Sequence, residues 1–355
     1  MTVSGKNADA GIIRISKEQE QTGVWIKVTP PCADPSDLSP SDNSYGMGSI
    51  VGDPARPGDL YVGGSASGLW KSTDYGKTWT KINGTIPNTP RGTVIAVAGT
   101  TPATVWAAGY RSIYKSTDGG VTFTSTDIDF DPYSIVVDPY DNNHLISGLH
   151  EAAGVIESTD GGSTWHSVGT GTLGGGVSVY PFFINTGDAS TTRTTWFAIG
   201  QNGSSPGRTE NGGANWSTPD GIGNLEHPHG NAQIFQKGSS LWVAGGNGAQ
   251  GQGVYRSTDY GKTWSRVDTS SGRPQAIVWG TDKYVYSMYA WACSKCDLGT
   301  NFERASLSDD THWTSIKVPD ELIIGPNTVA VTYNGTHWVF VGCFWSEGLW
   351  RYVEP

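Results

Sequence analysis

The chain has 355 residues, enough to bury a sizeable core in one large domain or two smaller ones, and a formal net charge of −10. That balance argues against a surface built for nucleic acid or another polyanion, which needs a basic face, and leaves only a local basic pocket open. With 49 Gly, 15 Trp and only 16% charged residues, the composition suits short strands joined by tight turns and disfavours helices, so an all-β protein is expected.

The N-terminal "MTVSGKNADAG" lacks the charged-then-apolar pattern of a secretory signal, and no apolar run is long enough to span a bilayer. The sequence therefore reads as cytosolic, or as beginning after a removed signal. No membrane partner is expected. The first predicted strand, "GVWIKVT" at 23–29, stands without an evident partner in its own neighbourhood.

A regular series then follows. "GSIVGD", "DLYVGG", "GLWKSTD" and "KTWTKI" read as four short strands with turn residues between them. The next two units repeat the order as "VIAVAG", "TVWAAG", "SIYKSTD", "VTFTST" and as "SIVVDP", "HLISGL", "GVIESTD", "STWHSV". One string marks each unit. "STDYGKTW" starts at Ser72, "STDGGVTF" at Ser116, "STDGGSTW" at Ser158, a worn "TENGGANW" at Thr209, "STDYGKTW" again at Ser257 and a remnant "SLSDDTHW" at Ser306. These starts are 44, 42, 51, 48 and 49 residues apart, the period of a four-stranded propeller blade. A seventh unit begins at "NTVAVTY", continues through "HWVFVGC" and "EGLWRYV", and stops one strand short. The strand at 23–29 completes it, which closes the ring and removes exposed sheet edges. The expectation is a single domain spanning 1–355, an all-β seven-bladed β-propeller of four-stranded blades, read as a monomer.

The marker string has the form S-x-D-x-G-x-T-W and resembles the Asp-box, or BNR repeat, of sialidase-like propellers. Its physical task is local: Asp accepts backbone N–H groups in a tight turn, Gly takes a positive φ, and Trp packs between blades. It specifies fold and is nearly silent on function.

Because the string joins the third and fourth strands, it shares a face with the first-to-second turns. Blade-to-blade connections and second-to-third loops occupy the other face, at the mouth of the central channel, where propellers commonly take ligands. The connections bring Tyr45, Arg91, Asp131, Tyr133, Tyr180, Glu226, His227, His229, Asn231, Arg273, Gln275 and Asn327 there. The loops bring Tyr110, Arg111, His150, Glu151, Asn247, Gln250, Tyr289, Trp291, Phe344, Trp345 and Glu347. In "EHPHGN", positions 227, 229 and 231 alternate and so share one side of a strand. His144, His166, His312 and His337 fall in turns or outer strands and read as structural or solvated.

A set that is aromatic, basic and His-rich in an acidic protein suits a sugar carrying a carboxylate. The chain resembles single-domain propeller polysaccharide lyases, especially those releasing rhamnose from glucuronate ends. That resemblance implies β-elimination on an acidic polysaccharide or oligosaccharide outside the cell. Arg91 would neutralise the carboxylate with Arg111, His150 or His229 would remove the proton, and Tyr45 or Tyr110 would protonate the leaving oxygen. Glu151, His227, Asn231, Asn247, Trp291 and Trp345 would hold the substrate. No cofactor is required, and His227, His229 and Asn231 leave room for a divalent metal such as calcium. The blade texture "GLWKSTDYGKTW" also resembles xyloglucan-degrading glycoside hydrolases, which join two propellers and carry a catalytic Asp where this chain has "GSASG". That alternative implies hydrolysis by paired carboxylates drawn from Glu151, Glu226 and Asp131. A lectin would repeat its binding residues from blade to blade, which this sequence does not. An assembly propeller would carry a large patch of one sign.

Four cysteines, Cys32, Cys293, Cys296 and Cys343, are too few for a disulfide scaffold. "CSKC" at 293–296 reads as a local disulfide or inert thiols, because no second CxxC accompanies it.

Overall fold

The computed structural model describes residues 20–31, 33–38, 46–83, 86, 94–109, 111–150, 152, 154–169, 178–200, 206–223, 225, 233–245, 253–267, 277–288, 300–344 and 347–355. Seven antiparallel sheets follow one another around a ring, six of four strands and one of three. The seven blades begin with the innermost strands Met47–Gly52, Val94–Ala98, Val136–Asp138, Val179–Phe183, Ile234–Lys237, Ile277–Gly280 and Pro326–Tyr333.

Trp25–Lys27 forms the outermost strand of blade 7, paired antiparallel to Gly348–Val353 in the register Trp25 to Tyr352 and Lys27 to Trp350. Both ends of the chain thus share one sheet, as expected. Trp25 is buried, with its ring edge-on to Phe302 and Phe344. Blade 4 departs from the four-strand expectation. Its fourth strand is reduced to a single bridge between Arg208 and Ser217, and a short helix, Ala189–Thr194, stands in its first-to-second connection. Asp188 caps that helix by accepting from the amide of Thr191.

Each Asp-box is a closed hydrogen-bonding unit. In the second copy the Ser116 hydroxyl donates to Asp118 and accepts from the amide of Gly120, while Asp118 accepts from the amide and hydroxyl of Thr122. The same pattern recurs at Ser72, Ser158 and Ser257. Donors converging on the carboxylates hold Asp118, Asp160 and Asp259 down at about 2. Two consecutive residues of the turn have positive φ, and the first of them is Tyr75 or Tyr260 in two copies.

The turn also docks to its own blade. Amides of Tyr75, Gly119, Gly161, Gly212, Tyr260 and Leu307 donate to carbonyls of Gly58, Ala103, Asn143, Thr194, Ser239 and Lys283, which lie in first-to-second connections or, for Asn143, at the start of the second strand. These bonds put both kinds of turn on one face and leave the channel mouth on the other. Neighbouring blades grip the turns as well: Tyr61 donates to Gly119, Trp106 to Gly161, Arg208 to Tyr260 and Arg351 to Tyr75.

Between consecutive blades lie seven apolar clusters, one per interface. The alternation of each strand delivers one side to the preceding blade and the other to the next. Trp106, Trp196 and Trp279 are almost fully buried there, and each contributes on the order of 1.5–3 kcal/mol or more by burial.

Candidate functional site

Asp131, Tyr133, His150 and Tyr180 come together between blades 3 and 4. Above the strand Val136–Asp138 the chain stays extended, with Pro132 bridged to Leu149. The amide of His150 donates to the carbonyl of Asp131 at 2.9 Å, and that of Tyr133 to Gly148 at 2.8 Å. His150 Nδ1 consequently stands 3.4 Å from Asp131 Oδ2. The Tyr133 ring meets the imidazole edge-on at 4.7 Å between centroids, and Tyr180 of blade 4 packs on Tyr133 at 5.1 Å.

His150, Tyr133 and Tyr180 are buried, whereas a quarter of the Asp131 side chain remains exposed. The blades approach so closely here that a Cβ on Gly148 would lie 1.6 Å from the carbonyl oxygen of Val179, so only glycine fits. This is a carboxylate held at the mouth of the channel and oriented by a buried imidazole. Such a pair can accept or deliver a proton at a bound ligand.

Below it the channel opens into a cavity of about 300 Å³ lined by innermost strands, with Ser49, Ser134, Tyr180, Gln233 and Thr328 as its polar wall. A second cavity of about 390 Å³ shares Val51, Ile95 and Val136 with the first and reaches Pro54, Pro139 and Asn142 of the opposite turns. The two cavities adjoin along the innermost strands of blades 1–3 and together lead from one face towards the other. Neither wall contains Arg or Lys among the described residues.

Arg111, expected as a carboxylate anchor, has an acidic neighbour of its own. Its backbone has φ 56° and its half-exposed guanidinium pairs with Asp129 at 2.5 Å, beside the outermost strand Thr124–Asp127 of its own blade. Tyr45, Arg91, Tyr110, Glu151, Glu226, His227, His229, Asn231, Asn247, Trp291 and Trp345 lie outside the described residues, as do Cys32, Cys293 and Cys296. Among the described residues no group of three or more His, Cys, Asp or Glu is placed to hold a metal ion. Also among them, no helix is long and apolar enough to cross a membrane.

Glu347 lies in the second-to-third loop of blade 7. Burial raises its pKa against the opposing effect of Lys27 on the outermost strand, 3.9 Å away. Cys343 is a buried free thiol bonded to Thr328, and burial pushes it up to about 11, which makes it inert.

Ser49, Ser134, Gln233 and Thr328 were not singled out in the sequence. Their signal is a small or amide polar residue at the upper end of an innermost strand. His144 corrects the expectation of a turn or outer strand. It is wholly buried in the second strand of blade 3, with Nδ1 2.8 Å from Asp138 and Nε2 2.7 Å from Glu157, which also meets His166 at 3.1 Å.

Residues 69–82 match the BNR-Asp box repeat and residues 255–266 the BNR/Asp-box repeat. The chain is similar to a xyloglucanase of Paenibacillus sp, at 27% identity over 56% of this chain and 21% of that protein. Among solved structures it is similar to the GH74 xyloglucanase from Xanthomonas campestris, with a TM-score of 0.66, 16% identity, and coverage of 87% of this chain and 52% of that one. It is also similar to YCF48 from Cyanidioschyzon merolae, with a TM-score of 0.60, 15% identity, and coverage of 94% and 99%. The chain spans about a fifth of the curated relative's length and about half of the solved xyloglucanase. At these identities the solved structures speak to fold alone.

Proposed function

We propose that this protein is a carbohydrate-active propeller, a glycoside hydrolase that acts on a neutral polysaccharide at the channel mouth outside the cell. The observation that carries this reading is the xyloglucanase similarity, which extends over more than half of the chain and so beyond the repeat string itself. The carboxylate of Asp131, oriented by His150, supplies one of the two acidic groups that hydrolysis needs. Glu151 and Glu226 are the candidates for the second.

The β-elimination reading is less well supported. It needs a cation to make the proton next to a uronate carboxylate acidic. Among the described residues the channel wall offers none, and Arg111 is paired with Asp129.

The deciding experiment incubates the protein with neutral β-glucans and with uronate-containing polysaccharides. New reducing ends without the absorbance of an unsaturated uronate support hydrolysis. Absorbance that grows with product returns the reading to a lyase, and neither signal on any substrate removes the enzymatic proposal.

A further inference from the structure

Gln233 precedes the innermost strand of blade 5, yet its amide is spent on blade 7. Nε2 donates to the carbonyl of Val329 at 3.0 Å, and Oε1 accepts from the amide of Val329 at 3.1 Å. An innermost strand leaves backbone groups unpaired towards the channel, and the carboxamide satisfies both groups of one residue as a neighbouring strand would. The bridge passes blade 6, whose innermost strand Ile277–Gly280 contributes nothing to the cavity wall among the described residues, while Gln233 does. Among the described residues Gln233 is thus the wall on that side.

The remaining polar wall is made of Ser49, Ser134, Thr328 and Tyr180. The Ser134 and Thr328 hydroxyls already accept from the amides of Gly148 and Ile50, and the Gln233 amide is engaged with Val329, so each offers only its remaining capacity, one N–H and one carbonyl lone pair in the case of Gln233. Such groups beside aliphatic side chains suit a neutral polyol, and among the described residues the wall holds no Arg or Lys to compensate a charged one. Shape adds a second restriction. The cavity wall follows the innermost strands inwards from Ser49, Ser134 and Thr328 to Gly52, Val136 and Val331, so the cavity extends along those strands and a chain lying across the mouth does not fill it. Its volume of about 300 Å³ is at the small end of ligand sites.

We propose that the upper channel is an end-on subsite that takes one neutral sugar unit, a chain end or a one-sugar branch, and that Gln233 is the specificity-determining wall of that subsite. This rests on the neutral-glycan reading above.

The test is isothermal titration calorimetry of the wild type, Gln233→Ala and Gln233→Met with a linear neutral β-glucan oligosaccharide and with a cyclic β-glucan, which has no ends. The linear ligand is expected to bind the wild type at least about tenfold more tightly than the cyclic one. Gln233→Ala is expected to weaken the linear ligand about tenfold and leave the cyclic one unchanged. Gln233→Met keeps the bulk of the wall and is expected to retain most of the preference; should the alanine variant fail to fold, Gln233→Ser opens the same wall and is expected to weaken the linear ligand in its place. Equal binding of linear and cyclic ligands by the wild type overturns the end-on subsite while sparing the glycan reading. Wild-type affinity in Gln233→Ala, or in Gln233→Ser in its place, overturns the role of Gln233. Binding of neither ligand by the wild type overturns the underlying reading itself.

Discussion

Asp131 and His150 meet at the top of blade 3 through two bonds of different kinds: the amide of His150 donates to the carbonyl of Asp131, and its imidazole stands 3.4 Å from the carboxylate. The backbone bond fixes the spacing of the side chains, so the pair is preformed. On the proposed hydrolytic reading, Asp131→Asn is expected to lower turnover of a neutral polysaccharide about 100-fold or more, since it removes a proton-transfer group. The unfolding midpoint should hardly change, because the Asp131 side chain is partly exposed and amide and carboxylate are of similar size. Reducing-end assays and thermal unfolding measure both. Retained turnover in this variant would exclude Asp131 as an acid or base.

His144 gives stability a predictable pH dependence. Burial opposes its charge, but hydrogen bonds to Asp138 and Glu157 outweigh burial and raise its pKa above 6.5. Its contribution is therefore full below pH 6.5 and declines as pH rises through the higher folded value. Burial likewise raises Glu157, yet bonding to His144 prevails and lowers it below 4.5, so that contribution is present above pH 4.5 and lost as pH falls through the lower folded value. Urea unfolding should show the pair contributing most between about pH 4.5 and 6.5. His144→Phe takes the imidazole from between two carboxylates, leaving Glu157 only His166 and Asp138 only the Tyr140 amide among the described residues, and should cost about 3 kcal/mol while flattening the alkaline decline. A wild-type profile that rises from pH 6.5 to 9 would contradict this account.

Ring closure should be sensitive to one indole. Trp25 is 3% exposed and packs on Phe302, Phe344 and Tyr352. Trp25→Ala should lower unfolding free energy by about 3–5 kcal/mol. Faster hydrogen exchange is expected first in Gly348–Val353, which would lose its outer partner. Exchange that accelerates equally in all blades would mean that the strand is no special closure.

The worn Asp-box offers a gain. Asn211 stands where the four intact copies have Asp, and its Oδ1 accepts from the Thr209 hydroxyl and the Asn215 amide. Asn211→Asp should strengthen both bonds and raise stability by up to about 1 kcal/mol, seen as a midpoint higher by roughly 1–3 °C. The gain should disappear as acid protonates the new carboxylate. An unchanged or lower midpoint at neutral pH would mean that the turn does not reward charge at this position.

The sequence alone determined the all-β propeller, its seven blades and the pairing of its two ends. Each Asp-box closes on itself through Ser, Asp, Gly and Thr a few residues apart, so its period survives in the linear string. It also assigned the blade-to-blade connections and second-to-third loops to one face by the parity of antiparallel strands, and Asp131, Tyr133, Tyr180 and His150 from those segments meet one another in the structure. Tertiary structure decided what those residues do. Arg111 turns to Asp129, His144 lies buried between carboxylates, and Gln233 reaches past a whole blade to Val329. Each of these depends on which side chain stands opposite another across a blade or a channel, a distance set by packing around the ring and not by separation along the chain.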